Sequence, residues 1–298
     1  MILCDSEPEI DSIEADLLTE FQTIVIDSDS ERSVDLPSEI GDCDDDQNQH
    51  SLMGSHIVTL DDVMEVDDAD VEDFIEVFSQ PRLVPTFERL DLGLRKGLSV
   101  DILTGYDLLL EEKRGEIKQY FATHLPRTSM LSPPCTMFSQ LMNVNWKKMN
   151  PAEIRRRWSE ALILWNFALQ LAWFQLQHMG IFVLEHPTGA SSWRLPETVA
   201  LLNQPGVFLV SFHQCRFGLK APISGQPIRK STRLLTNSKL IKHRFDRKFC
   251  QCSTPHRTIE GSEGPYKLSK YCEVYPPELC EELAKALAIE ARAKQRQV

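Results

Sequence analysis

Cys135 stands in "MLSPPCTMFSQLMN" (130–143), behind two prolines and ahead of an aromatic residue and a serine. A cysteine where a strand gives way to a loop is a nucleophile if nearby charge favours its thiolate, and otherwise a small hydrophobe on a turn. Pro133 and Pro134 remove two backbone donors and stiffen the approach, which limits where Cys135 can point. About fifty residues on, Glu185 in "LEHP" closes another apolar run. Two earlier runs also end in acids, Glu76 in "EVFSQPR" and Asp101 in "GLSVDI". An acid after the second strand of a doubly wound sheet is the usual ligand of a ribose hydroxyl, about 20 residues beyond the first turn. Asp101 follows Glu76 by 25 residues, and its other reading is that it simply starts a turn.

These residues need strands to carry them. Apolar runs at 73–79, 97–102, 127–132, 180–187, 206–215 and 232–237 read as strands. Helical patterns fall between them. The longest covers about 151–179, with Asn150 as N-cap and Pro151 at the first helical position. The runs are too continuous for one-sided burial. They predict an α/β fold: a doubly wound, mostly parallel, Rossmann-like sheet with helices on both faces. Ligands of such sheets sit beyond the carboxyl ends of the strands, where all four residues lie.

Charge divides the chain of 298 residues in two. Residues 1–73 hold 24 acidic residues against Arg32, a net −23, so with −12 overall the remainder carries +11. Residues 1–69 read as a mostly disordered acidic arm, either a solvated tail or a docking segment for a protein partner. Residues 70–298 read as the folded domain. Residues 216–248 carry ten Lys and Arg against Asp246 alone, a charge suited to phosphates, although a solvated basic face explains it too. The start of the chain has no basic, apolar and cleavable leader, and the eight cysteines are scattered. A reducing intracellular compartment is therefore expected. No apolar run is long enough to predict a membrane span.

"SPPCTMFS" resembles the "PPCQxFS" loop of the cytosine-C5 DNA methyltransferases, and "LEHP" stands where that family carries its "ENV" glutamate. "EVFSQPR", "VDI" and "GYDL" fall where its cofactor segments lie. "RKSTRLLT" (229–236) is similar to its arginine-bearing strand, and "YPPELCEELAKAL" (275–287) to its final helix, which returns to the cofactor. The resemblance covers roughly residues 72–288 and implies S-adenosylmethionine as methyl donor and DNA, favoured over RNA, as substrate in the nucleus. It implies that Cys135 adds to C6 of cytosine, that Glu185 meets N3, and that an arginine holds charge at O2, with Arg233 preferred over Arg216 and Arg229. Glu76, Phe78, Ser79, Asp101, Asp107 and Pro133 become candidate cofactor residues. Ser139, Arg216, Arg229 and Lys230 become candidate nucleic-acid contacts.

The sequence departs from that pattern. "EVFSQPR" has no glycine to let backbone approach a cofactor. His186 replaces the asparagine after the glutamate, and residues 238–270 are too few for the family's recognition domain. An alternative reading is a catalytically inactive nucleic-acid-binding domain of this fold, as in a retroelement-type protein. A third is a cysteine hydrolase pairing Cys135 with a histidine such as His186. In "FCQCSTPH" (249–256), Cys250, Cys252 and His256 could take zinc with Cys272 as fourth ligand. The C-x-C spacing is shorter than structural zinc sites usually show, so free thiols in a packed turn are the expectation.

Overall fold

The computed structural model describes residues 71–139, 142 and 148–295; the acidic arm predicted over 1–69 lies outside the described residues. Six strands form one sheet: β1 (Phe74–Val77), β2 (Lys96–Val100), β3 (Thr128–Leu131), β4 (Ile181–Pro187), β5 (Phe208–His213) and β6 (Ser231–Thr236). Their order is β2-β1-β3-β4-β6-β5, and β6 runs antiparallel to both its neighbours. All six expected strands are present and the sheet is mostly parallel, an α/β fold. The helices are α1 (Leu83–Arg89), α2 (Glu111–His124), α3 (Pro151–Gln177), α4 (Pro196–Leu202), α5 (Lys239–Phe245), α6 (Leu268–Tyr271) and α7 (Pro277–Gln295). A short hairpin, β7 (Ser262–Glu263) with β8 (Tyr266–Lys267), stands apart from the sheet.

Side chains alternate across each strand, so the register sorts the sheet into two faces. Glu76 pairs with Met130, Met130 with Val183, and Glu185 with Leu234. That row, with Phe74, Val210 and Phe212, packs against Leu83 and Phe87 of α1, Ile241 and Phe245 of α5, and Leu279, Leu283 and Leu287 of α7. Helix α7 forms because its apolar residues recur three and four apart, so one stripe is buried. Each large side chain fully buried here contributes about 1.5–3 kcal/mol. The other face carries Phe182, Leu184 and His186, covered by α3. Asn150 caps α3 through its side-chain oxygen, which accepts from Ala152 N–H at 2.8 Å, with Pro151 in the first turn as the sequence predicts.

At the amino ends of β1 and β3 an ion pair ties three strands. Asp73 Oδ1 meets Arg127 Nη1 at 2.8 Å, both buried, while Asp73 Oδ2 accepts from Arg95 N–H at 2.9 Å. Removing one partner of such a pair leaves a buried charge, at a cost of about 3–5 kcal/mol. Among the described residues no helix is long and apolar enough to cross a membrane.

The chain moves outward from β1 to β2 and then crosses back to β3 on the other side of β1. That reversal is a topological switch point, and open α/β sheets hold their ligands beyond the carboxyl ends of the strands at such a point.

Candidate active site at the ends of β3 and β4

Cys135 lies four residues beyond the end of β3, half-buried with a free thiol. Its loop is held by the next strand. His186 on β4 is fully buried, and its Nε2 lies 3.0 Å from the Pro133 carbonyl while Nδ1 lies 2.8 Å from Ser192 Oγ. A carbonyl only accepts, so Nε2 carries the proton, the ring is neutral, and the Ser192 hydroxyl donates to Nδ1. The rings of Phe138, Trp165 and Trp193 surround it. Burial pushes its pKa down to about 3, helped by the charge of Lys230 and opposed by the Pro133 bond. Both ring nitrogens are engaged, so His186 has none free to take a proton from Cys135. It clamps the loop instead, and the hydrolase reading loses His186 as its base.

Glu185, one residue earlier, points to the opposite face and is buried with no hydrogen-bond partner on Oε1. Its carboxylate acts on the buried hydroxyl of Tyr275, which also shares a 3.0 Å hydrogen bond with Ser132 Oγ. Lys230 completes the group. Its Nζ donates to the Cys272 carbonyl at 3.0 Å and lies 5.9 Å from the centre of the Tyr275 ring. Desolvation pushes the Cys135 thiol up to about 11; the Lys230 charge works against that rise, while Glu185 and Glu273 add to it. The fold thus brings Cys135, Glu185, Lys230 and Tyr275 together. Tyr275 carried no chemical signal in the sequence beyond opening the segment that becomes α7.

The thiol is protonated at neutral pH, which sets an expected result. Alkylation of Cys135 by iodoacetamide, followed by peptide mass spectrometry, should rise about tenfold per pH unit between pH 7 and 10. Lys230→Gln should slow it at every pH, because the charge that favours the thiolate is gone. A flat profile would mean that the thiolate is already formed.

Arg233 is not part of this group. It pairs with His186 across β4 and β6, so it lies on the face opposite Glu185. Its Nε donates to Ser211 Oγ at 3.3 Å and its guanidinium sits 6.0 Å from the Trp193 ring. The cation whose charge reaches Cys135 is Lys230, which the sequence placed among nucleic-acid contacts. Arg216 is exposed in the turn after β5. Arg229 lies near His213 and Cys250, and its positive charge disfavours protonation of both. Ser139 is half-buried at the end of the cysteine loop, its carbonyl accepting from Met142 N–H at 2.9 Å.

The residues expected around a cofactor divide. Glu76 is buried, and its carboxylate accepts from Arg82 N–H at 3.1 and 3.2 Å, Leu83 N–H at 3.2 Å and Ser99 Oγ at 2.7 Å. It caps α1 from within, and desolvation raises its pKa despite those bonds. Phe78 takes a left-handed φ of 64°, a conformation costing about 1–2 kcal/mol without glycine, and its ring packs on Phe167. The Ser79 hydroxyl donates to the Gln80 carbonyl at 2.8 Å. Pro133 belongs to the His186 clamp. At the end of β2, Asp101 caps a short turn through Leu103 N–H, and Asp107 accepts from Leu109 N–H at 3.0 Å. The turn reading of Asp101 is therefore realised. Beside it, Ile102 and Leu103 stand 67% and 69% exposed. The β1 side is thus internally satisfied, while the β2 side offers an acid next to bare apolar surface.

The zinc candidates also regroup. Cys272 is buried with Leu219, Ala221, Ile228 and Leu268, away from the others, whereas Cys215 joins Cys250, Cys252 and His256. No family model, no curated protein and no solved structure matches the chain.

Proposed function

We propose that residues 70–298 form a methyltransferase domain that acts on C5 of cytosine in DNA, with S-adenosylmethionine as methyl donor. One observation carries the reading: a cysteine held on a clamped loop after β3, beside a buried glutamate on β4 whose Oε1 has no partner. A buried carboxyl oxygen left unpaired costs free energy unless a ligand satisfies it. A cytosine ring between Cys135 and Glu185 would present N3 to that oxygen. A base stacked in a duplex cannot reach such a site, so the target is single-stranded or flipped out.

The chain's own chemistry runs as follows. Cys135 passes its thiol proton to solvent water as its sulfur bonds to C6, and the electron pair of the C5–C6 bond becomes available at C5. Glu185 holds a proton at N3 and Lys230 offsets negative charge that develops on the ring. S-adenosylmethionine, when bound, would supply the electrophilic methyl group and leave as S-adenosylhomocysteine. Loss of the C5 proton to solvent water would then expel the sulfur as a thiolate and restore the ring. Asp101, Ile102 and Leu103 are the residues suited to the nucleoside half of the donor, an acid for ribose hydroxyls beside apolar surface for a planar ring. The α1 N–H groups are taken by Glu76, so the donor's carboxylate must be held elsewhere.

The test is transfer of a labelled methyl group. The purified chain, S-adenosylmethionine labelled on its methyl, and single-stranded or duplex DNA should yield labelled 5-methylcytosine in the digest. No label in cytosine with either substrate would sink the assignment. The saturated Glu76 and the raised Cys135 thiol favour a second reading, an inactive nucleic-acid-binding domain, for which calorimetry would show DNA binding without S-adenosylmethionine binding.

A further inference from the structure

A second cluster of reactive side chains lies at the far edge of the sheet, apart from Cys135. Cys215 sits in the turn Gln214–Phe217 that follows β5, and Cys250, Cys252 and His256 come from the loop after α5. Their four ligand atoms all lie within 4.8 Å of one another, and all four residues are half-buried. Cys250 Sγ faces His256 Nε2 at 3.1 Å. A tetrahedral zinc with Zn–S of about 2.3 Å and Zn–N of about 2.0 Å separates its ligand atoms by roughly 3.5–3.8 Å. The cluster needs only small adjustments to reach that geometry.

The surroundings fit a thiolate-rich centre. Cys252 N–H donates to Cys250 Sγ at 3.3 Å, and Cys250 N–H donates to His213 Nδ1 at 3.0 Å, which fixes the short C-x-C turn. Gly218 ends the Cys215 turn at a left-handed φ of 83°. Three thiolates on a divalent ion leave one net negative charge, and Arg229 stands near enough to act on Cys250 and His213. A disulfide would join two of the three sulfurs and leave the third and the histidine unexplained. Soft sulfur and imidazole donors in a tetrahedral set select zinc over hard cations.

We propose that Cys215, Cys250, Cys252 and His256 bind one structural zinc ion. Its place in the chain gives it a task. Cys215 immediately precedes the basic stretch 216–248 and Cys250 closely follows it. Backbone bonds from Gln214 N–H to the Lys230 carbonyl at 2.9 Å and from His213 N–H to the Lys248 carbonyl at 3.2 Å bring that stretch back to the end of β5. The ion staples both ends of the basic segment, including the strand approach that carries Lys230. The site stands independently of the chemistry at Cys135.

Metal analysis of the full chain, purified without chelators, tests it. One zinc per chain is expected by plasma mass spectrometry, and cobalt(II) in its place should give the intense visible bands of a tetrahedral thiolate site. Cys215→Ser should lose the metal and the bands, while Cys272→Ser should keep both. Because Cys215→Ser could also unfold, His256→Cys supplies the second arm: it should retain one metal and shift the cobalt spectrum towards that of four sulfurs. A wild-type chain with no zinc and no cobalt bands overturns the proposal. So do iron in place of zinc, full zinc in folded Cys215→Ser, and an unshifted cobalt spectrum in His256→Cys.

Discussion

A Cys135→Ala chain is expected to bind DNA as the unaltered chain does and to lose methyl transfer by roughly 10⁴-fold or more. The size follows from the chemistry. Cytosine C5 is a poor nucleophile, and only a covalent bond at C6 releases the electron pair that attacks the methyl group, so no neighbouring group can substitute for the sulfur. The geometry argues that binding survives. Cys135 is half-buried on a loop whose shape depends on Pro133, His186 and Ser192, none of which the substitution touches. Losing one sulfur atom from a half-buried side chain opens little volume, and in the proposed function the phosphates would be met by the basic stretch beyond β5. Gel-shift affinity and label transfer measured on one preparation separate the two effects. Transfer within tenfold of wild type would exclude Cys135 as the nucleophile.

Acid should destabilise the folded domain through His186. An imidazole takes a proton at about 6.5 in the unfolded chain, whereas burial holds it down to about 3 in the fold. Between those values the unfolded state binds more protons, so unfolding free energy falls as pH falls. The loss is about 1.4 kcal/mol per pH unit below 6.5, roughly 2 kcal/mol at pH 5 and 3 kcal/mol at pH 4. That is a large share of the 5–15 kcal/mol typical of a folded chain. Glu72 and Glu76, whose pKa values burial raises, act in the opposite sense, because the fold takes up their protons first. The His186→Asn variant isolates the effect. It keeps a donor for Pro133, starts from lower stability because the aromatic cage is less filled, and should change little between pH 7 and 5. Urea titrations of both chains across that range measure the difference. Parallel slopes would show that His186 titrates normally.

His186 also links the two results, since the residue that makes the fold acid-sensitive is the one that aims the Cys135 loop. The proline pair alone does not orient the cysteine. The imidazole supplies the missing contact, one N–H to the Pro133 carbonyl, and the surrounding rings keep water from competing for it.

What the sequence determined by itself was local. Apolar runs and Asn150-Pro151 specified strands and a long helix, because burial pattern and capping act over a few residues. The order of residues also put Cys135, Glu185 and Asp101 at strand ends. Tertiary structure decided everything that depends on pairing. Strand β6 runs antiparallel between β4 and β5, and a shift of one residue in that register would have turned Arg233 to the face of Glu185. Periodicity along one strand cannot report that choice. Lys230 and Tyr275 joined Cys135 from 95 and 140 residues away, and Cys215 joined Cys250 across 35, displacing Cys272. Glu76 was legible as an acid near the end of a strand but not as an internal cap, because α1 begins close enough to saturate its oxygens only once the loop has folded. Chemistry of single residues is written along the chain; which of them meet is set by register and chain return, where contacts far apart in sequence outweigh local preference.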